Sequence, residues 1–409
     1  MSIIHLHMAR SSGRVLFIAY DFPPCTSVGG SIRSEKFAKY LPGCDWRLSV
    51  LTLQETVHRN RPENFPDVCR IRSLTPWMRP YHVVPYGWAI MLYFAAKRML
   101  NNIRHDIVYV SCPPYPQTLT ALLLKLRYKI PLVVDFRDVW AQDPYIEGSR
   151  LIKRAVYKWI FPFLEKMVIR RSDSLIFNSE SALQAYQIKY PDSADKMCVI
   201  PNGFDEEDFG AYKPTGSKDV LNVLYAGRFG VGDRNPEIIM QALAILNDEK
   251  APIKFTFIGD SSPALPALVE KYGLAAVADI KNQIPHDELV NMMGGFDVLL
   301  LYQENSPSRI TPVAGKTYEY LRAGKPVLAV CPDGDNAKVI ENYCAFYRVT
   351  NEYRPEKIAE LLQEMIRDWK NNLLPVYTIA KNEFDIYYNR KHLALNLAAI
   401  FNDLCGRKV

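Results

Sequence analysis

The sequence predicts an α/β protein with two Rossmann-like domains, each built on a doubly wound parallel sheet. The apolar run at 14–20 is typical of a central strand in such a sheet, and a loop and an amphipathic helix follow it. The same series of strand, loop and helix starts again at 220–227. Because the two half-chains repeat the series, we expect two sheets that face a cleft. We place the domains at 1–205 and 206–385, and the polar residues 206–219 form the linker.

The composition is that of an ordinary globular chain. Of 409 residues, 48% are hydrophobic and 23% are charged, which is enough to bury large cores. The net charge of +6 is too small to imply nucleic-acid binding, but it fits an anionic substrate or an anionic membrane face. The eight cysteines form no C-x-x-C pair, so we expect reduced thiols and neither a zinc nor a redox motif.

The chain shows no targeting or membrane-spanning pattern. Its start lacks a cationic segment followed by a long apolar run, so no signal peptide is predicted. No uncharged apolar run reaches the roughly 20 residues that a spanning helix needs. We therefore expect a cytoplasmic protein.

The predicted elements follow from the periodicity of apolar residues and from turn signals. Strands are predicted at 14–20, 46–52, 106–111, 132–134, 174–178, 197–200, 220–227, 253–258, 296–301 and 326–330. Helices are predicted at 31–41, 118–126, 180 onward, 236–247, 285 onward, 316–322 and 387–404. Residues 54–76 are polar and rich in proline, with little periodicity.

The loop after the first strand contains Gly29 and Gly30, directly before a helix. A strand, a loop with glycine and a helix are the general layout of a phosphate or sugar cradle. The loop does not match the G-x-G-x-x-G dinucleotide fingerprint, and two glycines before a helix also form simple turns.

A charged cluster, Asp135, Arg137 and Asp138, follows the strand at 132–134. Ligands bind at the carboxyl ends of strands in open α/β sheets, and buried charges need partners. One interpretation is acceptor binding or charge stabilisation near the reacting carbon. The other is a structural Asp–Arg ion pair that shapes the loop.

Two stretches, 76–100 and 150–171, combine aromatic or aliphatic residues with lysine and arginine. Such stretches can lie on a bilayer with the cations at the headgroups. The alternative is an ordinary helix packed on the sheet with a solvated basic face.

The stretch 312–329 predicts a loop, a helix, a glycine stop and a strand. The helix amino end, at Val313, Ala314, Gly315 and Lys316, is a ready anion site. Glu319 lies one turn into the helix, where its carboxylate can accept hydrogen bonds from sugar hydroxyls or simply favour the helix dipole. Together these features indicate a nucleotide-sugar site.

Two arginines, Arg228 and Arg234, bracket the glycine-containing loop after the strand at 220–227. Two cations at the carboxyl edge of a sheet suit a diphosphate and can neutralise the charge that grows on a leaving group.

The segment GKTYEYLRAGKPVLA resembles the donor-site signature of family 4 retaining glycosyltransferases, and the blocks DFRDVW and VIPNGFD resemble the same family. The resemblance spans about 14–404 and implies the GT-B architecture. It further implies that the last helix, 386–409, packs back on the first domain. Three departures stand out. Arg234 lies one place beyond the position of a family lysine. Thr311 occupies the place of a family glutamate, and Arg137 occupies the place of a family histidine.

The resemblance also assigns roles to residues. The donor would contact Gly29, Gly30, Arg228, Val313, Ala314, Gly315, Lys316 and Glu319. The acceptor would contact Arg33, Asp135 and Asp138. The catalytic group would comprise Arg228, Arg234, Arg137 and Asp138, with no metal.

The resulting hypothesis is a retaining transfer of a sugar from a nucleoside diphosphate to a glycan or lipid-linked glycan, as in cell-surface polysaccharide synthesis. The protein would need no cofactor besides its nucleotide-sugar co-substrate, and it would touch the membrane through 76–100 and 150–171. The alternatives are an inactive sugar-nucleotide-binding partner or regulator and a UDP-sugar epimerase on the same fold.

Overall fold

The structure is a computed structural model, and the chain divides into two compact units. Unit 1 comprises Met1–Pro201 and Arg390–Val409, and unit 2 comprises Asn202–Asn389. The boundaries lie at 201/202 and 389/390, against the predicted 205/206 and 385/386. The described residues are 12–24, 29–54, 65, 67–74, 84–138, 140, 159–217, 219–227, 236–259, 264–305, 313–381 and 383–407.

Unit 1 is a seven-stranded parallel sheet covered by helices. Its strands are β1 Gly13–Ala19, β2 Trp46–Leu53, β3 Val68–Ile71, β4 Ile107–Cys112, β5 Leu132–Phe136, β6 Ser174–Phe177 and β7 Met197–Val199. They stand in the order β3-β2-β1-β4-β5-β6-β7, so the direction of winding reverses between β1 and β4. The helices are α1 Gly29–Tyr40, α2 Val84–Asn102, α3 Pro116–Tyr128, α4 Phe161–Arg171 and α5 Glu180–Lys189.

The centre of this sheet is buried on both faces, as the uninterrupted apolar runs predict. Side chains of successive β1 residues, Val15 to Ile18, have no exposed area. Ser179 begins α5 as its N-cap and accepts a hydrogen bond from the backbone N–H of Ala182 at 3.3 Å.

Unit 2 is a six-stranded parallel sheet. Its strands are β8 Leu221–Ala226, β9 Ile253–Ile258, β10 Ala278–Lys281, β11 Val298–Tyr302, β12 Val327–Val330 and β13 Tyr347–Thr350, in the order β10-β9-β8-β11-β12-β13. Its helices are α6 Glu237–Asp248, α7 Ala264–Lys271, α8 His286–Met292, α9 Gly315–Ala323, α10 Asp335–Tyr343, α11 Pro355–Lys370 and α12 Phe384–Tyr388. The winding reverses between β8 and β11, so a ligand is expected at the carboxyl ends of these two strands.

The chain returns to unit 1 through α13 Arg390–Leu404, which packs against α1. Phe401 meets Trp46 edge to face at 5.2 Å, and the indole N–H of Trp46 donates to Asn402 at 3.2 Å. The predicted single helix 387–404 is therefore divided, because Asn389 adopts an extended conformation between α12 and α13.

Most predicted strands lie within two residues of their observed ends, and both sheets are confirmed as parallel and doubly wound. The prediction missed β3, which lies in the polar region 54–76, and it assigned no element to α7, β10, α10, β13 or α11. Within the described parts of the chain, no helix has the length and apolar character that crossing a bilayer requires.

Candidate active site

The amino end of α9 lies at the point where the winding of the unit 2 sheet reverses. The ammonium of Lys316 donates to the carbonyl oxygen of Ala226 at 2.6 Å, and the hydroxyl of Tyr320 accepts from the N–H of Ala226 at 3.3 Å. Both polar backbone groups of the last β8 residue are therefore held by the first two turns of α9. This contact fixes the helix end beside the carboxyl edge of the sheet.

The start of α9 has the character of an anion site. Its N-cap residue, Ala314, offers no side-chain oxygen to the first N–H groups of the helix. Val313 before it is buried, and Gly315 is the first helical residue. The amino end of the helix thus presents backbone donors that its N-cap residue does not cap. At the other end Gly324 has φ 64°, which confirms the predicted glycine stop.

Lys316 places a cation at this helix end. Its ammonium lies 4.4 Å from the centroid of the Tyr225 ring, in addition to its bond with Ala226. A Cβ atom at Gly227 would come within 2.5 Å of the same nitrogen, and Gly227 has φ +151°. Only glycine fits this conformation and this spacing without displacing the lysine.

Glu319 is held from the side by a residue that the sequence analysis did not single out. The Nε2 atom of His286 donates to Glu319 Oε1 at 2.8 Å, and Nδ1 lies 3.7 Å from Asp208 Oδ2. The only signal in the sequence was a histidine at a predicted helix start, and its pairing with a residue 33 positions later cannot be read from the sequence.

A second network anchors the first turn of α9. Thr317 donates to Asn336 at 2.6 Å, and Asn336 donates to the side chain of Gln303 at 2.9 Å. Gln303 directly follows β11. The polar groups therefore connect α9, α10 and the end of β11, the second strand at the switch point.

In unit 1, Arg33 and Asp135 form a buried ion pair. Arg33 Nε lies 2.8 Å from Oδ2, and Nη2 lies 2.9 Å from Oδ1. Arg33 also donates to the carbonyls of Ile200 and Pro201, and the Tyr109 hydroxyl donates to Asp135 at 2.5 Å. Burial, together with the negative charge of Asp135, holds the pKa of Tyr109 well above its ordinary value.

The side chains of Arg33 and Asp135 are 2% and 0% exposed, so a solvent-borne acceptor does not reach them in this conformation. The geometry gives Asp135 a structural ion pair, as in the alternative interpretation, but the partner is Arg33 of α1 and not Arg137 of the same cluster. Acceptor contact by Arg33 and Asp135 stays a prediction without support from this geometry.

Arg137 and Asp138 follow β5 at the carboxyl edge of the same sheet. Arg137 donates to the carbonyl of Pro113 and lies 3.8 Å from the Asp21 carboxylate. Its Nε is buried, with no hydrogen-bond partner among the described residues. Asp138 is exposed, and its backbone carbonyl accepts from the Tyr115 hydroxyl at 3.1 Å.

The remaining predicted site residues are placed as follows. Gly29 and Gly30 are the first two residues of α1. Arg228, Arg234 and Thr311 lie outside the described residues. Among the described residues, no group of three or more His, Cys, Asp or Glu side chains is arranged to hold a metal ion.

Comparison with known proteins identifies the two halves separately. The model of the Glycosyl transferase 4-like domain matches residues 28–203, and the model of Glycosyl transferases group 1 matches residues 212–377. No curated protein sequence matches the chain.

Solved structures share the fold across nearly the whole chain. Sucrose-phosphate synthase from Thermosynechococcus elongatus has a TM-score of 0.72 and 16% identity, covering 96% of this chain and 99% of that one. HepE of Anabaena, in complex with UDP and glucose, has a TM-score of 0.67 and 16% identity, covering 95% and 99%. A UDP-N-acetylglucosamine 2-epimerase has a TM-score of 0.59 and 13% identity, covering 97% of each chain.

These structural likenesses show the GT-B type of fold, and the family follows from the two domain models, which match in order along the chain. The chain belongs to the group 1 glycosyltransferases, of the family 4 type, and is a glycosyltransferase.

Proposed function

We propose that the protein is a retaining glycosyltransferase that moves a hexosyl or N-acetylhexosaminyl group from a nucleoside-diphosphate sugar to a hydroxyl of a glycan acceptor. The observation that carries the proposal is the amino end of α9, where uncapped N–H groups and the Lys316 ammonium are held together at the carboxyl edge of the unit 2 sheet. HepE, which shares the fold, is solved with UDP and glucose, so uridine nucleotides are the first donors to probe.

The diphosphate would lie against the backbone donors at Val313, Ala314 and Gly315. A helix amino end favours an anion through its dipole and its unsatisfied donors, and Lys316 adds a full positive charge. Arg228 and Arg234 would complete the cationic wall from the loop after β8. Glu319, held by His286, would accept hydrogen bonds from the ribose hydroxyls.

The reaction breaks the bond between the anomeric carbon and the diphosphate oxygen. A bond forms between that carbon and the acceptor oxygen on the same face of the sugar, and the hydroxyl proton leaves with the nucleoside diphosphate. Negative charge grows on the leaving oxygen, so donors fixed before the reaction stabilise the transition state more than the ground state.

On the acceptor side we assign Arg137 and Asp138, whereas Gly29 and Gly30, at the start of α1, would contact the donor. The support for Arg137 is its position directly after β5, at the carboxyl edge of the sheet, where its side chain is 12% exposed. We further propose that transfer needs no metal, because lysine and arginine side chains supply the positive charge. Activity that is lost with EDTA and restored by Mg²⁺ or Mn²⁺ would contradict this.

The direct test measures nucleotide binding and turnover with a panel of UDP-, dTDP- and GDP-sugars. We expect Glu319→Ala and Arg228→Ala each to reduce donor affinity or turnover by about tenfold or more, as loss of a charge-assisted contact would. Glu360→Ala, an exposed glutamate on α11, is the matched control and should leave both unchanged. Wild-type behaviour in both site variants would overturn the assignment.

The same assay separates the alternatives. A transferase consumes the nucleotide sugar only when an acceptor hydroxyl is supplied, apart from slow hydrolysis. An epimerase converts the UDP-sugar with no acceptor present. An inactive partner or regulator binds the nucleotide tightly and turns over none of the panel.

For the acceptor we propose a lipid-linked glycan at an anionic membrane surface in the cytoplasm, the setting of capsule or exopolysaccharide synthesis. The helices α2, α3 and α4 lie side by side, and large apolar side chains on them are 48–70% exposed. These are Tyr86, Ile90, Phe94, Leu123, Leu126, Trp159, Ile160 and Phe163. Exposed cations accompany them at Arg98, Arg127, Lys166 and Arg170. The parts of the predicted stretches at 76–83 and 150–158 lie outside the described residues.

An apolar ridge flanked by cations fits the interface of an anionic bilayer. Sedimentation with vesicles that contain phosphatidylglycerol should show binding that weakens as salt increases. Replacing Phe94 and Trp159 together by serine should release the protein, whereas Ile188→Ser, a still more exposed apolar residue on α5, should not. Binding that is indifferent to salt and to anionic lipid would contradict this part of the proposal.

A further inference from the structure

Glu319 and His286 form part of a chain of three charged or titratable side chains in unit 2. His286 begins α8, Glu319 lies in α9, and Asp208 belongs to the short turn Glu206–Phe209. The imidazole lies between the two carboxylates, 2.8 Å from Glu319 and 3.7 Å from Asp208. Their side chains are 36%, 13% and 19% exposed for His286, Glu319 and Asp208, so the contact is partly shielded from water.

We propose that His286 is a positioning residue for nucleotide selection. It holds the Glu319 carboxylate in one orientation and so sets how strongly the site prefers nucleotides that carry ribose hydroxyls. The inference rests on the proposed function, in which Glu319 contacts the ribose. Its new content is that the preference depends on a second side chain, which would not itself contact the nucleotide.

The backbone around Glu319 is already fixed by other contacts. On one side, Thr317 bonds Asn336 at 2.6 Å; on the other, Arg322 forms a two-point ion pair with Glu206, with Nε 2.6 Å from Oε2. What remains to be fixed is the rotation of the glutamate side chain. A glutamate that must be ordered when the ligand binds loses rotamer entropy at that moment, and this weakens binding. His286 removes that cost in advance.

Asp208 lies on the other side of His286. Its carboxylate faces Nδ1 at 3.7 Å, which is longer than a hydrogen bond, while Nε2 faces Glu319 at 2.8 Å. The three residues come from separate segments of unit 2, and the fold brings them together at the side of α9.

The test compares the binding of UDP and of 2′,3′-dideoxy-UDP to the wild type and to variants. We expect the wild type to prefer UDP by about tenfold, the size of a hydrogen bond to a charged group. Glu319→Ala should abolish the preference. His286→Ala should reduce it at least about threefold, mostly through loss of UDP affinity, whereas His286→Gln, which keeps an N–H donor, should retain most of it. The double variant should match Glu319→Ala alone, because the two residues act as one unit.

The ratio of the two affinities is the decisive readout, since general damage to the fold lowers both affinities together. If Glu319→Ala keeps the preference, the ribose contact in the proposed function is wrong, and this inference falls with it. If Glu319→Ala loses the preference while His286→Ala keeps it, the proposed function stands and His286 has no positioning role. If His286→Ala does not fold, His286→Asn, which shortens the reach of the donor, decides the question in the same assay.

Discussion

The two sheets have the same architecture and place charged residues at the same edge, but the charges are used in opposite ways. In unit 1 the Arg33 guanidinium is 2% exposed and meets a carboxylate, two carbonyl groups and an aromatic ring. In unit 2 the cation at the corresponding edge, Lys316, is tied to Ala226 at a helix amino end that its N-cap residue does not cap. In unit 1 the charged groups satisfy one another inside the protein. In unit 2 the backbone donors of the helix are left for a ligand.

The difference shows how a structural role of a charged motif can be told from a binding role. A buried charge is tolerated only when its partners satisfy it, so a fully satisfied pair indicates a role in holding the structure. A charge or donor held in place beside an incompletely satisfied group indicates a role in binding. By this criterion Arg137, whose Nε has no hydrogen-bond partner in the described part of the chain, is less completely satisfied than its neighbour Asp135.

The largest effect on stability should come from breaking the ion pair of Arg33 with Asp135. Asp135→Ala leaves the Arg33 charge buried beside Tyr109 without its carboxylate, and we expect a loss of about 3–5 kcal/mol in the free energy of unfolding. Urea denaturation followed by circular dichroism measures it. Arg170→Ala, which removes an exposed ion pair with Asp192, is the control and should cost at most about 1 kcal/mol.

The double variant Arg33→Met with Asp135→Ala should recover much of the loss, because no buried charge is left unpaired. A cost below about 1 kcal/mol for Asp135→Ala alone would mean that water reaches Arg33, and the contrast between the two edges would then be lost.

A buried lysine in unit 2 tests whether the contrast depends on the unit in which a charge lies or on how deeply the charge is buried. Lys325 is 1% exposed and donates to the carbonyl of Thr215 at 2.7 Å. Burial, partly opposed by the charge of Asp297, lowers the pKa of Lys325 to about 8. Between about pH 8 and the ordinary value of 10.5 the unfolded chain binds more protons than the folded one, so stability contributed by this group rises with pH.

We therefore expect Lys325→Met to gain stability relative to the wild type at pH 7 and to lose that relative gain at higher pH. The change in the difference between the two unfolding free energies should be about 3 kcal/mol between pH 7 and pH 11. Lys254→Met, an exposed lysine on β9, should show a nearly flat difference. A flat profile for Lys325→Met would show that its ammonium is solvated in the folded protein.

The sequence was sufficient to predict most of the fold because the fold follows from local patterns. Uninterrupted apolar runs such as that of β1 can be stable only in a sheet that is covered on both faces, and the glycine at 324 marks the end of α9 through its backbone conformation alone. β3 was missed because its four residues, VCRI, are only partly buried except for Ile71, and a short edge strand carries a weak pattern.

The site was less predictable, since its geometry depends on contacts between distant segments. The start of α9 and the roles proposed for Lys316 and Glu319 could be inferred from local sequence. The bond from Lys316 to Ala226 spans 90 positions, and the ion pair of Arg33 with Asp135 spans 102. Nothing in the local sequence distinguishes the closed pair from an open acceptor site, because the distinction lies in burial.

The smallest change in stability and the clearest change in binding should come from Lys316→Met. Removing the ammonium deletes one hydrogen bond to Ala226 and the contact with the Tyr225 ring, at a cost of about 1 kcal/mol in stability. Affinity for UDP should nevertheless fall by about tenfold or more, because the charge beside the helix end is gone. Isothermal titration calorimetry measures the affinity, and Lys254→Met removes the same charge from the same sheet at its opposite edge. Equal losses of affinity in the two variants would show that Lys316 acts only through net charge, and the open edge of unit 2 would then not be the donor site.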